Sequence, residues 1–372
     1  VIRKYGDLVD AWACTQSPTG DQLAISQILG VPAENVRIHV QLAGGGFGRR
    51  GTLDSDIASE AAFIVQATGT TRPVKVLWTR EDDIRGGKYR PMVMHRVRAG
   101  LDAAGNVVGW HDRIVQQSVT GILLPPGIPD TTASEGAIIP YAVPNVMLDI
   151  HVTSVGVPVL WWRSVEHTHN AFVAEVMIDE LAEAAGADPF EFRRALLTEH
   201  PRHLGVLELA AEKAGWNTPL PAGKARGIAV QESFGSYVAE VAEVSLGADG
   251  RPVVERVVCA VDCGVAINPD NVRAQIEGGL GYGLAAALHN AVTLDEGRVM
   301  QSNFHDYALF RIDEMPEIEV HIVPSTEPPS GIGEPGTPPI APAVANALRK
   351  LTGTPVRSQP FQPFQPSLKE VK

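Results

Sequence analysis

Two long stretches of the chain read as β-hairpins of the same design, and they limit the fold more than any other feature. Met94 to Val115 and Tyr237 to Val261 each run strand, tight turn, strand, reversing at Asp102-Ala-Ala-Gly105-Asn106 and at Gly247-Ala-Asp249-Gly250-Arg251. Asp, Asn and Gly supply the side-chain-closed and positive-φ turns that reverse an antiparallel pair. An all-parallel doubly wound sheet instead needs a helical crossover between neighbouring strands, so it is a poor match. The paired hairpins predict an α+β chain of two related halves, each of long hairpins and mixed sheets packed with helices. The expected division is a first half at 1–155, a helical connecting region at 156–225 and a second half at 226–372.

Helix signals fill the space between the hairpins. Phe172, Val173, Val176, Met177, Leu181 and Ala182 mark one helix stopped at Gly186. Asp188-Pro189-Phe190-Glu191 starts another, with Asp as cap, Pro in the first position and Glu in the third. A third runs through Leu204 to Ala214 and stops at Gly215. Upstream, Val9, Ala11 and Ala13 alternate as a strand, and Val36, Ile38, Val40 and Leu42 form a one-sided strand. Asp54 to Thr68 reads as an amphipathic helix, and Pro73 to Trp78 as a short apolar strand. Downstream, Asn271 to His289 is helix-like but holds Gly278, Gly279, Gly281 and Gly283. Interior glycines cost roughly 1 kcal/mol each against Ala, so close approach of another backbone or a bulky cofactor is expected there. Ile318 to Val323 is a further strand, followed by a Pro/Gly loop from Pro328 to Pro342 and a helix from Ala343 to Leu351.

The formal charge of −12 argues against an extended nucleic-acid surface. The most apolar window, Gly136 to Val157, is broken by Pro140, Pro144 and Asp149, short of the ~18 residues of a membrane span, so a soluble chain is expected. Cys14, Cys259 and Cys263 are too few for a disulfide framework, an iron–sulfur cluster or a structural zinc site, and the last two read as buried thiols. Val1 begins without Met, and the chain is expected to be a processed or partial piece of something longer.

The chemistry concentrates in a few segments. The loop Gly44-Gly45-Gly46-Phe47-Gly48-Arg49-Arg50-Gly51 stands between a strand and a helix and could bind anionic or polar cofactor atoms through backbone N–H groups. A dinucleotide fingerprint fits it poorly: the strand before it is polar on one face, and Glu81 lies well beyond the ~20 residues at which an acidic ribose partner belongs. Glu334, in Gly331-Ile332-Gly333-Glu334-Pro335-Gly336, is clamped between glycine and proline. It suits a base pointed into a site, with an exposed loop glutamate as the plainer alternative. Arg163 follows Trp161-Trp162 and calls for an anionic or carbonyl partner or an interior salt bridge. His305 reads as a structural histidine or an acid/base, and His167 and His169 beside Glu166 are a weak metal signal.

Several of these words form an ordered set: Gly44-Gly45-Gly46-Phe47-Gly48-Arg49-Arg50; Arg163-Ser164 with Thr168-His169-Asn170-Ala171-Phe172; Asp262-Cys263-Gly264 with Asn268-Pro269; Gln275-Ile276-Glu277-Gly278-Gly279; Ser302-Asn303-Phe304; and the Glu334 loop. Together they resemble the large, molybdenum-cofactor-binding subunit of the xanthine oxidase family. Within it they resemble the branch of isoquinoline 1-oxidoreductase β subunits and membrane-bound aldehyde dehydrogenases. Arg49-Arg50 stand where many xanthine and aldehyde oxidases carry Gly-Lys, which points to that branch. The family's Met-Gly-Gln-Gly pterin-phosphate loop is missing, so the chain resembles the C-terminal portion of the subunit or a separately encoded half.

The resemblance implies a molybdenum–pterin cofactor, in the cytosine dinucleotide form, with the metal held by the pterin dithiolene and no protein ligand. It assigns cofactor contacts to Gly45, Gly46, Phe47, Gly48, Arg49, Arg163, Gln275 and Gly333, and the catalytic base to Glu334. Candidate pocket walls are Trp161, Trp162, Phe234, Tyr237 and Phe304. The implied activity is oxidation of aldehydes to carboxylic acids with water as the oxygen source; alternatives are hydroxylation of an N-heteroaromatic, a nicotinamide-dependent dehydrogenase or a non-catalytic assembly subunit. Implied partners are the N-terminal part of the large subunit or a separate half-subunit, a small subunit with [2Fe-2S] clusters and a cytochrome c subunit. The implied location is the periplasm or the periplasmic face of the inner membrane, with the cytoplasm as the alternative.

Overall fold

The computed structural model describes residues 1–120, 124, 128 and 130–364. The chain divides into two compact units, each assembled from separated stretches. The first comprises Val1–Met92, Gln117–Asp130 and Ser154–Arg163; the second comprises Val93–Gln116, Thr131–Thr153 and the chain from Ser164 on.

In the first unit, β1 (Ile2–Tyr5) and β2 (Leu8–Ala13) pair antiparallel. After helix α1 (Pro18–Leu29), β3 (Val36–Val40) joins β2 in parallel. Ile25 and Leu29 of α1 and Ala61, Ala62 and Val65 of α2 (Asp56–Thr68) close a small core over Ile2, Val9, Ala11 and Val36. Thr79 and Asp82 form a capping box on α3 (Arg80–Gly86). Two expectations are corrected here. β3 stops at Val40, leaving Leu42 fully exposed, and the Pro73–Trp78 strand shrinks to one bridge between Val74 and Ile2. Pro73 has no N–H for a ladder, and Trp78 instead donates its indole N–H to Glu60 at 2.8 Å.

In the second unit, β4 (Met94–Leu101) and β5 (Val107–Gln117) form one long antiparallel hairpin, joined by β6 (Val146–Thr153) at the β5 edge. Helices α4 (His167–Ala184), α5 (Pro189–Leu196) and α6 (Pro201–Ala214) follow. Asp188 caps α5 as expected, accepting from the amides of Phe190 and Glu191. Then β7 (Lys224–Ser233), β8 (Ser236–Leu246) and β9 (Pro252–Asp262) build an antiparallel meander. The glycine-rich helix is α7 (Pro269–Leu288), and two short strands, β10 (Leu294–Asp295) and β11 (Arg298–Val299), come next. β12 (Glu317–Ile322) adds parallel to β9, and α8 (Ile340–Thr352) completes the described helices.

The four-stranded sheet, in the order β12-β9-β8-β7, is covered on both faces. Ala239, Val241, Val258 and Ala260 pack toward Ile178 of α4 and Leu207 and Ala210 of α6. Ala242, Val244 and Val257 pack toward Leu280 and Leu284 of α7 and Val344 and Leu348 of α8. Double coverage explains why burial runs continuously along much of these strands rather than at alternate positions. Val107 and Trp110 of β5 enter the α4–α6 core, so both long hairpins contribute to this unit. Among the described residues no helix is long and apolar enough to cross a membrane.

A buried ionic network stiffens the same unit. Arg193 is fully buried, with Nε donating to Glu175 at 2.8 Å, Nη1 to Asp179 at 2.9 Å and Nη2 to the Glu175 carbonyl at 2.8 Å. Glu175 also accepts from Tyr141 and from the Val230 amide, which joins α4, α5, β7 and the 131–153 segment. Its two carboxylates hold the Arg193 proton more tightly than usual, and burial with the Glu175 charge pushes the Tyr141 phenol well up.

Candidate active site

The glycine loop of the first unit is a presented stretch of backbone. Phe47 sits at φ 50° and Gly48 at φ 95°, and a Cβ on Gly48 would lie 2.7 Å from Cδ1 of Trp161. The Trp161 indole N–H donates to the Gly48 carbonyl at 3.0 Å, so the structure brings these two expected site residues together. A Cβ on Gly46 would meet Oε1 of Gln16 at 2.5 Å, and the same oxygen accepts from the Arg50 amide at 3.2 Å. The N–H groups of Gly45, Gly46 and Gly48 have no partner among the described residues. Arg49 is held by Asp56 through two bonds of 3.0 and 2.9 Å, and Lys88 approaches Asp54 and Asp56. The Arg49 guanidinium therefore anchors the loop to the start of α2, and hydrogen bonds from Arg49 and Thr52 lower the Asp56 carboxyl against a burial penalty that raises it. The Arg90 guanidinium lies 4.5 Å over the Trp162 ring. Arg163 is half-buried at the end of this unit.

The Glu334 loop of the second unit is clamped on several sides. The Ser164 amide donates to Glu334 Oε1 at 3.0 Å, and the Ser164 hydroxyl donates to the Glu334 carbonyl at 2.7 Å. Oε2 has no partner among the described residues, and the residue is half-buried. Behind the loop, Gly279 and Gly283 of α7 explain the glycine cost noted in the sequence. A Cβ on Gly279 would sit 3.2 Å from the carbonyl carbon of Gly336, and one on Gly283 would sit 2.8 Å from the Thr337 carbonyl. The Ile340 side chain adds to the crowding at Gly283, at 2.5 Å, and the Thr337 hydroxyl at Gly279, at 3.1 Å, so backbone and side chains together favour glycine on this face of the helix.

The remaining expected residues are distributed around this loop and beyond it. Gln275 is exposed on α7, adjacent in sequence to Ile276, whose backbone abuts Gly336. Gly333 is exposed beside Glu334. Phe234, at φ 54° in the β7–β8 turn, accepts from the Gly331 amide at 3.1 Å, so it borders the loop. Tyr237 points elsewhere: Arg202 stacks on its ring at 4.3 Å and His203 meets its edge at 4.7 Å. Burial lowers His203 to about 4, and the same cause lowers His167 to about 4, so neither is a proton carrier at neutral pH. Phe304 is exposed on a turn that Asp306 closes by accepting from the amides of Ser302 and Asn303, which hold its carboxyl at about 2. His305 is exposed next to Asp306, contrary to a structural role. No metal-holding cluster of His, Cys, Asp or Glu exists among the described residues. Gln16 and the Ser164–Glu334 contact were not singled out from sequence: nothing local marks a glutamine as a loop support, and Ser164 stood only as the neighbour of Arg163.

A molybdopterin cofactor-binding domain model matches residues 1–197, and a second model of that description matches residues 165–316. The chain belongs to the molybdopterin cofactor-binding domain family. It is 34% identical to the isoquinoline 1-oxidoreductase subunit beta of Brevundimonas diminuta, over 99% of this chain and 48% of that protein. It is 29% identical to a membrane-bound aldehyde dehydrogenase of Gluconacetobacter polyoxogenes, over 91% of this chain and 48% of that protein. The chain thus spans about half the length of these curated relatives. Its fold is similar to that of quinoline 2-oxidoreductase from Pseudomonas putida 86, with a TM-score of 0.83 at 15% identity, covering 97% of this chain and 72% of the other. It is also similar to the aldehyde oxidoreductase of Desulfovibrio desulfuricans, with a TM-score of 0.76 at 17% identity over 95% and 57%.

The residues present fit such a cofactor. A cradle that only glycine permits, with amides left for acceptor atoms, suits the oxygen-rich edge of a metal–pterin group. Gly45, Gly46, Phe47 and Gly48 are the residues of the first unit that would hold it.

Proposed function

We propose that this chain is the catalytic portion of the large subunit of a molybdenum hydroxylase that oxidises aldehydes to carboxylic acids with water as the oxygen source. The observation that carries the reading is the Glu334 carboxylate: one oxygen is fixed by a backbone amide and the other has no partner, on a loop that α7 can approach only through glycines. When bound, the molybdenum–pterin group supplies two-electron oxidation. Glu334 then takes up a proton at Oε2, while the Ser164 amide keeps Oε1 in place. Because the Ser164 amide is bonded to Oε1 and not to the accepting oxygen, proton uptake at Oε2 leaves the hold intact. The exposed glycine amides orient acceptor atoms of the cofactor.

A second reading, hydroxylation of an N-heteroaromatic, is favoured by the higher identity to the isoquinoline-type subunit. The remaining cofactor contacts belong to the N-terminal part of the large subunit or a separate half-subunit. An iron–sulfur subunit with [2Fe-2S] clusters, and a cytochrome c subunit, carry electrons away. The cytosine dinucleotide form of the cofactor and a periplasmic location complete the proposal, supported by the branch that the Arg49-Arg50 pair resembles.

The test is molybdenum content of the natively purified assembly by mass spectrometry, followed by a panel of aldehydes and N-heteroaromatics. The expected result is close to one molybdenum per copy and turnover on one of the two classes. No molybdenum, from a host whose cofactor pathway works, overturns the proposal.

A further inference from the structure

The turn that holds Glu334 is itself in an unfavourable conformation. Ser164 sits at φ 71° and Val165 at φ 46°. A β-branched residue in the left-handed region is a genuine outlier, and it persists only where surrounding contacts over-determine it. On one side those contacts are the two bonds from Ser164 to Glu334.

On the other side stands a buried chain of side chains that neither the fold nor the cofactor explains. Glu166 Oε2 accepts from His169 Nε2 at 2.6 Å, His169 Nδ1 meets His95 Nε2 at 2.9 Å, and His95 Nδ1 donates to Asp112 at 3.0 Å. All four side chains are largely buried. Glu166 and His169 lie at the start of α4, His95 on β4 and Asp112 on β5, so the chain ties the strained turn to the hairpin. The spacing between the rings is that of a hydrogen bond, which leaves no room for the metal that the two histidines hinted at in the sequence.

We infer that the Asp112–His95–His169–Glu166 chain is the positioning element of Glu334, fixing the Ser164–Val165 turn whose amide and hydroxyl hold the carboxylate. The inference rests on Glu334 being the proton acceptor of the proposed reaction, but the contact it describes exists without turnover. All four are positioning residues, acting through the turn.

The experiment uses the assembled protein and reads two quantities. One is the rate at which a carbodiimide labels Glu334, followed by peptide mass spectrometry; the other is kcat and KM measured separately. His95→Phe is expected to raise Glu334 labelling several-fold and to lower kcat by about 10- to 100-fold with KM within about twofold, the scale of a misplaced reacting group. His95→Gln keeps one donor and one acceptor in line and is expected to restore both readouts toward the native protein. Val165→Gly accepts the same φ without strain, so it should raise labelling and lower kcat while the melting temperature holds or rises. This last variant also keeps the test alive if His95→Phe does not fold. Unchanged Glu334 labelling in folded Val165→Gly and His95→Phe, together with native kcat in both, overturns the inference; if His95→Phe does not fold, the same result in Val165→Gly alone overturns it. Faster labelling in an assembly that holds no molybdenum would uphold the positioning chain while the proposed reaction fails. Native labelling and native turnover in His95→Phe and Val165→Gly would do the reverse.

Discussion

The loop at residues 44–51 and the loop at residues 328–340 are both rich in glycine, yet the glycines serve opposite ends. In the first unit they free backbone: Gly45, Gly46 and Gly48 keep amides without partners among the described residues, while Gln16 holds the loop at the Arg50 amide, Trp161 at the Gly48 carbonyl and Asp56 at the Arg49 side chain. In the second unit glycine lets backbone be covered, as Gly279 and Gly283 of α7 close against Gly336 and Thr337. The functional atom there belongs to a side chain, Glu334. A site made of amides fails when a Cβ is added, whereas a site made of a carboxylate fails when its chemistry or aim is changed.

Four experiments bear on that contrast. Glu334→Gln is expected to reduce turnover by about 10²- to 10⁴-fold. It should leave molybdenum content and melting temperature unchanged, and loss of metal would mean that the two loops do not divide the work as described. Arg193→Ala leaves Glu175 and Asp179 buried without their cation and should cost about 3–5 kcal/mol in denaturant unfolding. A small effect would show that the Glu334 loop does not depend on a stiff second unit. Gly48→Ala introduces a Cβ at φ 95° against Trp161, a strain of about 1–3 kcal/mol. It should lower the molybdenum content of the assembly without altering the circular dichroism of the chain; native content would remove the glycine loop from cofactor binding.

The smallest effect concerns pH. Glu240, fully buried directly across from Cys259, has its carboxyl pushed well above the usual 4.5 by burial. Folding therefore favours the protonated acid: that contribution is complete below about pH 4.5 and is lost as pH rises and the unfolded chain ionises. Glu240→Gln should remove this slope and stabilise the protein at pH 8, with no gain at pH 4. Parallel pH curves for the two proteins would show that Glu240 is not held neutral.

Much of the secondary structure was legible because its causes are local. Asp188 caps α5 through bonds to residues two and three positions on, and the Asp102 and Asp249 turns close within a few residues. The glycine loop, the Glu334 loop and the glycine excess of α7 were visible as departures from ordinary propensity. Their reasons were not, since an unfavourable glycine announces a close approach without naming what approaches. Pro73–Trp78 misled because an apolar run resembles a strand whether or not a partner lies beside it.

Short-range commitments are written in the chain: hairpin reversals, helix starts and stops, the loops without Cβ atoms, and the ordered words of the molybdopterin-binding family. Which residue holds which emerges only when the chain is folded. Ser164 meets Glu334 across 170 residues, and His95 meets His169 across 74. A hydrogen bond acts over about 3 Å, so nothing in the identity of either residue encodes a partner that distant in sequence. The packing of α4, the hairpin and the Glu334 loop makes those pairs.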